Sequence, residues 1–230
     1  MNHRCAILPR TTLLFCAFLP IAAAASAQGY KVETASLPAP QELAAPVRGT
    51  LSGDALRVTG PQGALCEIWF RKDIPAKAAS GSGLGIAFPQ FGDGALVGAI
   101  RFEAASQDYR QQAIQPGVYT LRYALQPVDG NHQGVSPYRD FLLAIPAAAD
   151  SSVEPLAGKD LYKASRKAAG TGHPSVWSLY PPDNAPPSLP GIVHQNDGDL
   201  WILYVKAPLA SGSGGSSTVG LVLVGHAPEA

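Results

Sequence analysis

"VYTLRYALQ", residues 118–126, is the stretch whose reading decides the fold class. Tyr119, Leu121, Tyr123 and Leu125 alternate with Thr120, Arg122, Ala124 and Gln126. A period of two over eight residues has a physical use only in an extended strand, where successive side chains leave on opposite faces. Pro116-Gly117 opens the stretch as a turn signal. Downstream, "YRDFLLAI" (138–145) puts Phe141, Leu143 and Ile145 on one face. The two runs and the residues between them therefore predict an antiparallel hairpin or a closely related connection.

Similar segments recur on both sides. "ALRVTG" (55–60), "ALCEIWFRK" (64–72), "LGIAF" (84–88) and "ALVGAIRFE" (95–103) precede the hairpin, and "SVWSLY" (175–180), "GIVHQ" (191–195), "DLWILYVKA" (199–207) and "STVGLVLVGHA" (217–227) follow it. Turn formers separate them, the chain having Gly 24 and Pro 21 spread along its length. "LWILYV" is apolar on both faces and belongs inside a covered layer. The one good helix candidate is "GKDLYKASRKAAG" (158–170), with Asp160 in its first turn, Lys163, Arg166 and Lys167 towards its end, and Gly170 as a cap. Its basic residues read as a solvated face. The expected fold is all-β, an antiparallel β-sandwich of the immunoglobulin-like or jelly-roll-like kind, with one short helix near 158–169.

The first 27 residues read as a secretory signal, which places the protein in the periplasm or outside the cell. Arg4 and Arg10 supply the positive start, "TTLLFCAFLPIAAAA" a short apolar core, and "ASA" ending at Ala27 the cleavage site. The apolar run is too short to span a bilayer. Cys16 follows Phe15 rather than a small residue, which argues against a lipid anchor. Cleavage near Ala27 removes Cys5 and Cys16, leaves Cys66 alone and so forbids an internal disulfide. Cys66 shares a strand face with Ile68 and Phe70 and reads as a small core hydrophobe. Loss of Arg4 and Arg10 from 17 Lys+Arg leaves 15 against 17 Asp+Glu, a net charge near −2 with no long-range pull towards nucleic acid or anionic lipid. Residues 28–46 read as an extended lead-in and 47–227 as one β-sandwich domain. The alternative is an immunoglobulin-like unit at 47–147 with a helix-and-strand extension at 150–227.

Chemistry is sparse. His132, His173, His194 and His226 form no H-x-H, H-x₃-H or H-E-x-x-H, and no C-x-x-C exists. G-x-S-x-G is absent, and "GSGLG" (81–85) lacks dinucleotide-binding spacing. Acids such as Asp93, Asp197 and Asp199 cannot be paired from sequence into a hydrolytic site. An exported, non-catalytic binding or accessory protein is expected, its partner an unidentified protein or small ligand, with a hydrolytic enzyme the weakest alternative. The turn "PVDGNHQG" (127–134) reads in two ways. Asp129, Gly130 and Asn131 suit turn geometry by themselves; equally, Asp129 and His132, with His173 of "GTGHP", are imidazole and carboxylate donors of the kind that hold Cu(II) or Zn(II). Trp177 and Tyr180, beside the loop "YPPDNAPPSLPG", offer a further candidate surface for a glycan or protein partner if exposed, buried packing being the other reading.

"PGVYTLRYALQPVDGNHQGVSPYRDFLL" (116–143) resembles the last hairpin of periplasmic copper-resistance (CopC-like) domains, in which a "PG-x-Y-T" strand leads to a "DGH" turn and a final "G-x-x-x-F" strand. The resemblance implies an immunoglobulin-like sandwich with His132 as a Cu(II) ligand and Asp129 nearby. With "YTLRY" and "DGNH-x-G-x-x-x-YRDF" as hallmarks, the whole chain also resembles an uncharacterised family of exported bacterial β-sandwich proteins, which implies no activity.

Overall fold

A computed structural model describes residues 29–77, 83, 85–129, 134–156, 158–210 and 215–227. The leader with its cleavage site at Ala27, and His132 of the turn, lie outside the described residues. The elements run β1 (Lys31–Ser36), α1 (Ala45–Thr50), β2 (Asp54–Gly60), β3 (Gly63–Phe70), β4 (Leu96–Phe102), β5 (Ser106–Gln107), β6 (Ala113–Ile114), β7 (Gly117–Leu125) and β8 (Asp140–Pro146). They continue with α2 (Gly158–Ala169), β9 (Ser175–Tyr180), β10 (Gly191–Gln195), β11 (Leu200–Pro208) and β12 (Ser216–Val224).

The fold is all-β and antiparallel, with α2 at the position expected for the short helix. Ten strands form one sheet in the order β1-β2-β3-β4-β7-β8-β9-β12-β11-β10, and β5 and β6 pair by themselves. The hairpin expected at 118–145 is present: β7 and β8 pair from Tyr119 opposite Pro146 to Leu125 opposite Asp140. The sheet curls until its ends approach, the Tyr30 ring beside β1 lying 5.0 Å edge-on from Trp201 of β11. Its two halves thus face each other across one interior. Val58, Cys66, Ile68, Ile100, Tyr119, Leu121 and Leu142 from one side pack there with Trp177, Leu203, Val205 and Leu221 from the other. Cys66 is buried as the sequence predicts, and desolvation pushes its thiol well above the ordinary range.

Alternation along each strand sends the remaining apolar residues outward, where two further layers cover them. On the β3–β4 side, Leu43, Val47 and Leu51 from α1 and its flanks lie on Trp69, Leu96, Ala99 and Val118. On the β8–β9 side, Phe141, Leu143, Ile145, Ile202, Tyr204 and Val222 form one cluster with Leu161 of α2, with Ala185 and Leu189 of the Pro-rich loop packed against it. Cover on both faces explains why β7 alternates in sequence but hardly in burial, with every residue from Val118 to Ala124 buried. Its polar outward residue Arg122 is fully buried, and its guanidinium donates to both Asp150 carboxylate oxygens (2.6 and 2.8 Å) and to the carbonyls of Gly94, Ser152 and Glu154. Gly94 has φ +76°, and a Cβ there would meet the Leu156 backbone, so the site accepts only glycine.

Besides the short helix α1 and the β5–β6 pair, for which the sequence carries no expectation, two segments differ from expectation. Residues 31–36, placed in the extended lead-in, are the edge strand β1, in register with β2 from Lys31 opposite Thr59 to Ser36 opposite Asp54; no β1 side chain is buried, so it lacks an apolar signal. Residues 85–88, expected in a short strand, have no strand pairing. A side chain holds them instead: buried Asp140 accepts the N–H groups of Ala87 (2.7 Å) and Phe88 (3.0 Å). Among the described residues no helix is long and apolar enough to cross a membrane.

Candidate functional site

The β7–β8 hairpin, α2 and two short connections enclose a cleft of ≈ 740 Å³ on the outer face of the sheet. Its floor is apolar. Ala124 of β7 and Phe141 and Leu143 of β8 leave the sheet on the outward face and are buried. Tyr109 packs beside them, its ring centroid 6.2 Å from that of Phe141. Burial raises the Tyr109 hydroxyl above its usual titration range, so the phenol is neutral.

One wall is α2. Leu161, Ser165 and Ala168 form its buried face. Ser165 anchors it to β9: its Oγ accepts the Ser175 N–H (3.0 Å) and donates to the Ser175 carbonyl (3.3 Å). Tyr162 and Arg166, one turn apart, share the face that lines the cleft. Another part of the lining is the turn at 108–112, built around the buried Asp108. Its carboxylate accepts the N–H groups of Arg110 (2.9 Å), Gln112 (2.9 Å) and Val176 (3.0 Å), and the Gln112 side-chain amide (2.8 Å). Desolvation raises the Asp108 carboxyl, and these donors oppose it. The turn is tied to its surroundings by Tyr109 N–H to the Val176 carbonyl and Ala227 N–H to the Tyr109 carbonyl, both 2.9 Å.

The rim is polar and exposed: Arg110, Gln111, Asp129, Arg166 and His173. Two residues expected from sequence as metal donors, Asp129 and His173, thus line one cleft. His173 is held there by its neighbours: its N–H donates to Thr171 Oγ1, the Thr171 hydroxyl contacts Gln112 Oε1, and the Gln112 amide donates to the Pro174 carbonyl (2.8 Å). Zn(II) takes three or four protein ligands. Among the described residues no group of three His, Cys, Asp or Glu able to hold a metal forms.

Trp177 and Tyr180 do not form a partner or glycan surface, being only 2% and 7% exposed. Three residues apart on a strand, they leave β9 on opposite faces. Trp177 enters the interior and stacks on Phe102 at 6.0 Å, while Tyr180 lies in the outer layer with its ring 5.2 Å from Tyr138. His194 stands elsewhere, at the approach of the sheet ends. Its ring stacks on Trp201 at 4.2 Å and its Nε2 is 2.7 Å from Asp199 Oδ1.

Four cleft residues are not singled out as site candidates in the sequence: Tyr109, Arg110, Tyr162 and Arg166, the last reading there as part of a solvated helix face. Their signal was faint. "QDYRQQ" carries an aspartate two residues ahead of Arg110, the pattern of an Asx turn, and Tyr162 and Arg166 stand four apart on the helix. Neither pattern says which element lies opposite. No protein-family model matches the chain, and no curated protein or solved structure matches it.

Proposed function

We propose that this chain is an exported, non-catalytic binding protein that holds a small, largely apolar ligand in the cleft between α2 and the β7–β8 hairpin. The observation that carries the proposal is the division of the cleft into a buried apolar floor and an exposed polar rim. Small-molecule sites have this composition and occupy roughly 300–1,000 Å³, a range that includes ≈ 740 Å³. Phe141, Leu143 and Tyr109 are held by the sheet and the Asp108 turn, so the floor exists before a ligand arrives and little ordering entropy is lost on binding. Export rests on the leader sequence.

The neutral dye N-phenylnaphthylamine tests the cleft. Its fluorescence is expected to rise saturably at one dye per chain, and Val176→Trp, which fills the cleft from a half-buried wall position, is expected to abolish the rise while leaving the melting temperature within a few degrees. A rise that persists in Val176→Trp would place the dye elsewhere and remove the proposal.

A second reading, a Cu(II)- or Zn(II)-binding protein, is favoured by one observation: Asp129 and His173 line the same cleft. Calorimetric titration of the mature protein with each metal, beside His132→Ala and His173→Ala, decides it. Stoichiometric binding lost in both variants supports the metal reading, and absence of binding removes it.

A further inference from the structure

The arginines of this protein show what the cleft lacks. Eight lie in the described residues. Arg57, Arg71, Arg101 and Arg122 face carboxylates. Arg48 and Arg139 donate to backbone carbonyls. Arg110 and Arg166 remain; both line the cleft, and the guanidinium of neither has a hydrogen bond or ion pair among the described residues. They come from two different elements. Arg110 is presented by a turn whose geometry the buried Asp108 fixes through the Arg110 N–H itself. Arg166 is presented by a helix whose other face is pinned through Ser165. Asp129, the one acidic residue of the lining among the described residues, already has a partner.

We infer that the ligand of this cleft is an apolar monoanion, a hydrocarbon or aryl carboxylate. Its tail lies over Phe141, Leu143 and Val176, and its head meets Arg110 and Arg166 at the rim. This rests on the binding function proposed above and adds the charge of the ligand. The chemistry is that of a planar fork meeting a carboxylate with two parallel N–H···O bonds, a geometry that lysine does not reproduce. A neutral head leaves both guanidiniums solvated and gains nothing from them. A cationic head is repelled.

Three probes with the same tail separate the outcomes: decanoate, decanol and decyltrimethylammonium, each competed against N-phenylnaphthylamine at low ionic strength. Decanoate is expected to bind about tenfold or more tightly than decanol, the discrimination that charge-assisted hydrogen bonds provide, and the cation more weakly than either. Arg110→Gln combined with Arg166→Gln is expected to bring decanoate down to the affinity of decanol, and added salt to narrow the gap in the native protein. Equal binding of decanoate and decanol would overturn the anion inference and leave the cleft as a neutral apolar site. Failure of all three to displace a dye that Val176→Trp excludes would overturn the inference and leave the binding function standing, whereas a dye that persists in Val176→Trp removes the binding function itself.

Discussion

Arg122 is the residue on which the outer side of β7 depends. Its side chain and that of Asp150 are 0% and 2% exposed, and the pair joins the middle of a central strand to the connection that leads into α2. Moving two charges out of water costs several kcal/mol each, and the geometry here recovers it through two guanidinium–carboxylate bonds and three carbonyl acceptors. The pair is therefore far more costly to break than to replace. Asp150→Ala strands a buried guanidinium and is expected to lower the unfolding free energy by about 3–5 kcal/mol, read from the urea midpoint at unchanged slope. A loss below about 1 kcal/mol would mean that the backbone carbonyls alone satisfy the guanidinium. At this scale the sequence was legible wherever one residue decides its own place. Cys66 and Trp69, three apart in β3, enter opposite layers as alternation requires. It was misleading where burial depends on distant cover. Arg122 alternates like a solvent-facing residue, yet the 147–156 connection covers it. Trp177 and Tyr180 stand beside a polar, Pro-rich loop, yet Trp177 lies in the interior of the curled sheet and Tyr180 in the covered outer layer.

Helix α2 shows how an element is held when its own sequence is mostly polar. Leu161 and Ala168 bury little apolar surface between them, and the reciprocal bonds of Ser165 with the Ser175 backbone fix the register of helix on strand. Ser165→Ala leaves the Ser175 N–H buried without an acceptor, which costs about 1–3 kcal/mol. The expected outcome is local: faster amide exchange in α2 and at Ser175, weaker dye binding in the cleft, and unchanged protection of the β7–β8 ladder. Uniform loss of protection would instead make α2 part of the global folding unit. Elements whose signal is local were readable in the sequence, among them α2 from its charges and Gly170, and β7 and β8 from their alternation. Elements that exist only through a partner were not. β1 has no buried side chain and owes its place to β2, and residues 85–88 owe theirs to the carboxylate of Asp140 fifty residues away. The cleft belongs to this second kind, since it needs the 108–112 turn, α2 and β8 together.

The molecule buries five of its eight tyrosines, and that sets its behaviour in alkali. Tyr109, Tyr119, Tyr123, Tyr180 and Tyr204 all have their phenols raised above the ordinary value of 10.0, in each case with desolvation as the largest cause. Tyr123 also donates to Asp140 at 2.6 Å, a bond that requires its proton. In the unfolded chain these phenols ionise near pH 10, whereas in the folded protein they retain their protons, so above that pH the native state binds more protons than the unfolded state. Stability is then fully present below about pH 10 and falls as pH rises through the folded values, each such group adding up to about 1.4 kcal/mol per pH unit to the slope. The Cys66 thiol, raised by burial in the same interior, acts in the same direction from a lower starting value. The protein is therefore expected to lose several kcal/mol between pH 10 and pH 12 and to release tyrosinate absorbance in one cooperative step that coincides with loss of the far-ultraviolet β signal. Tyrosinate appearing gradually before that signal falls would show that water reaches the interior and outer layers without unfolding, and would contradict the account of a curled sheet packed on both of its faces.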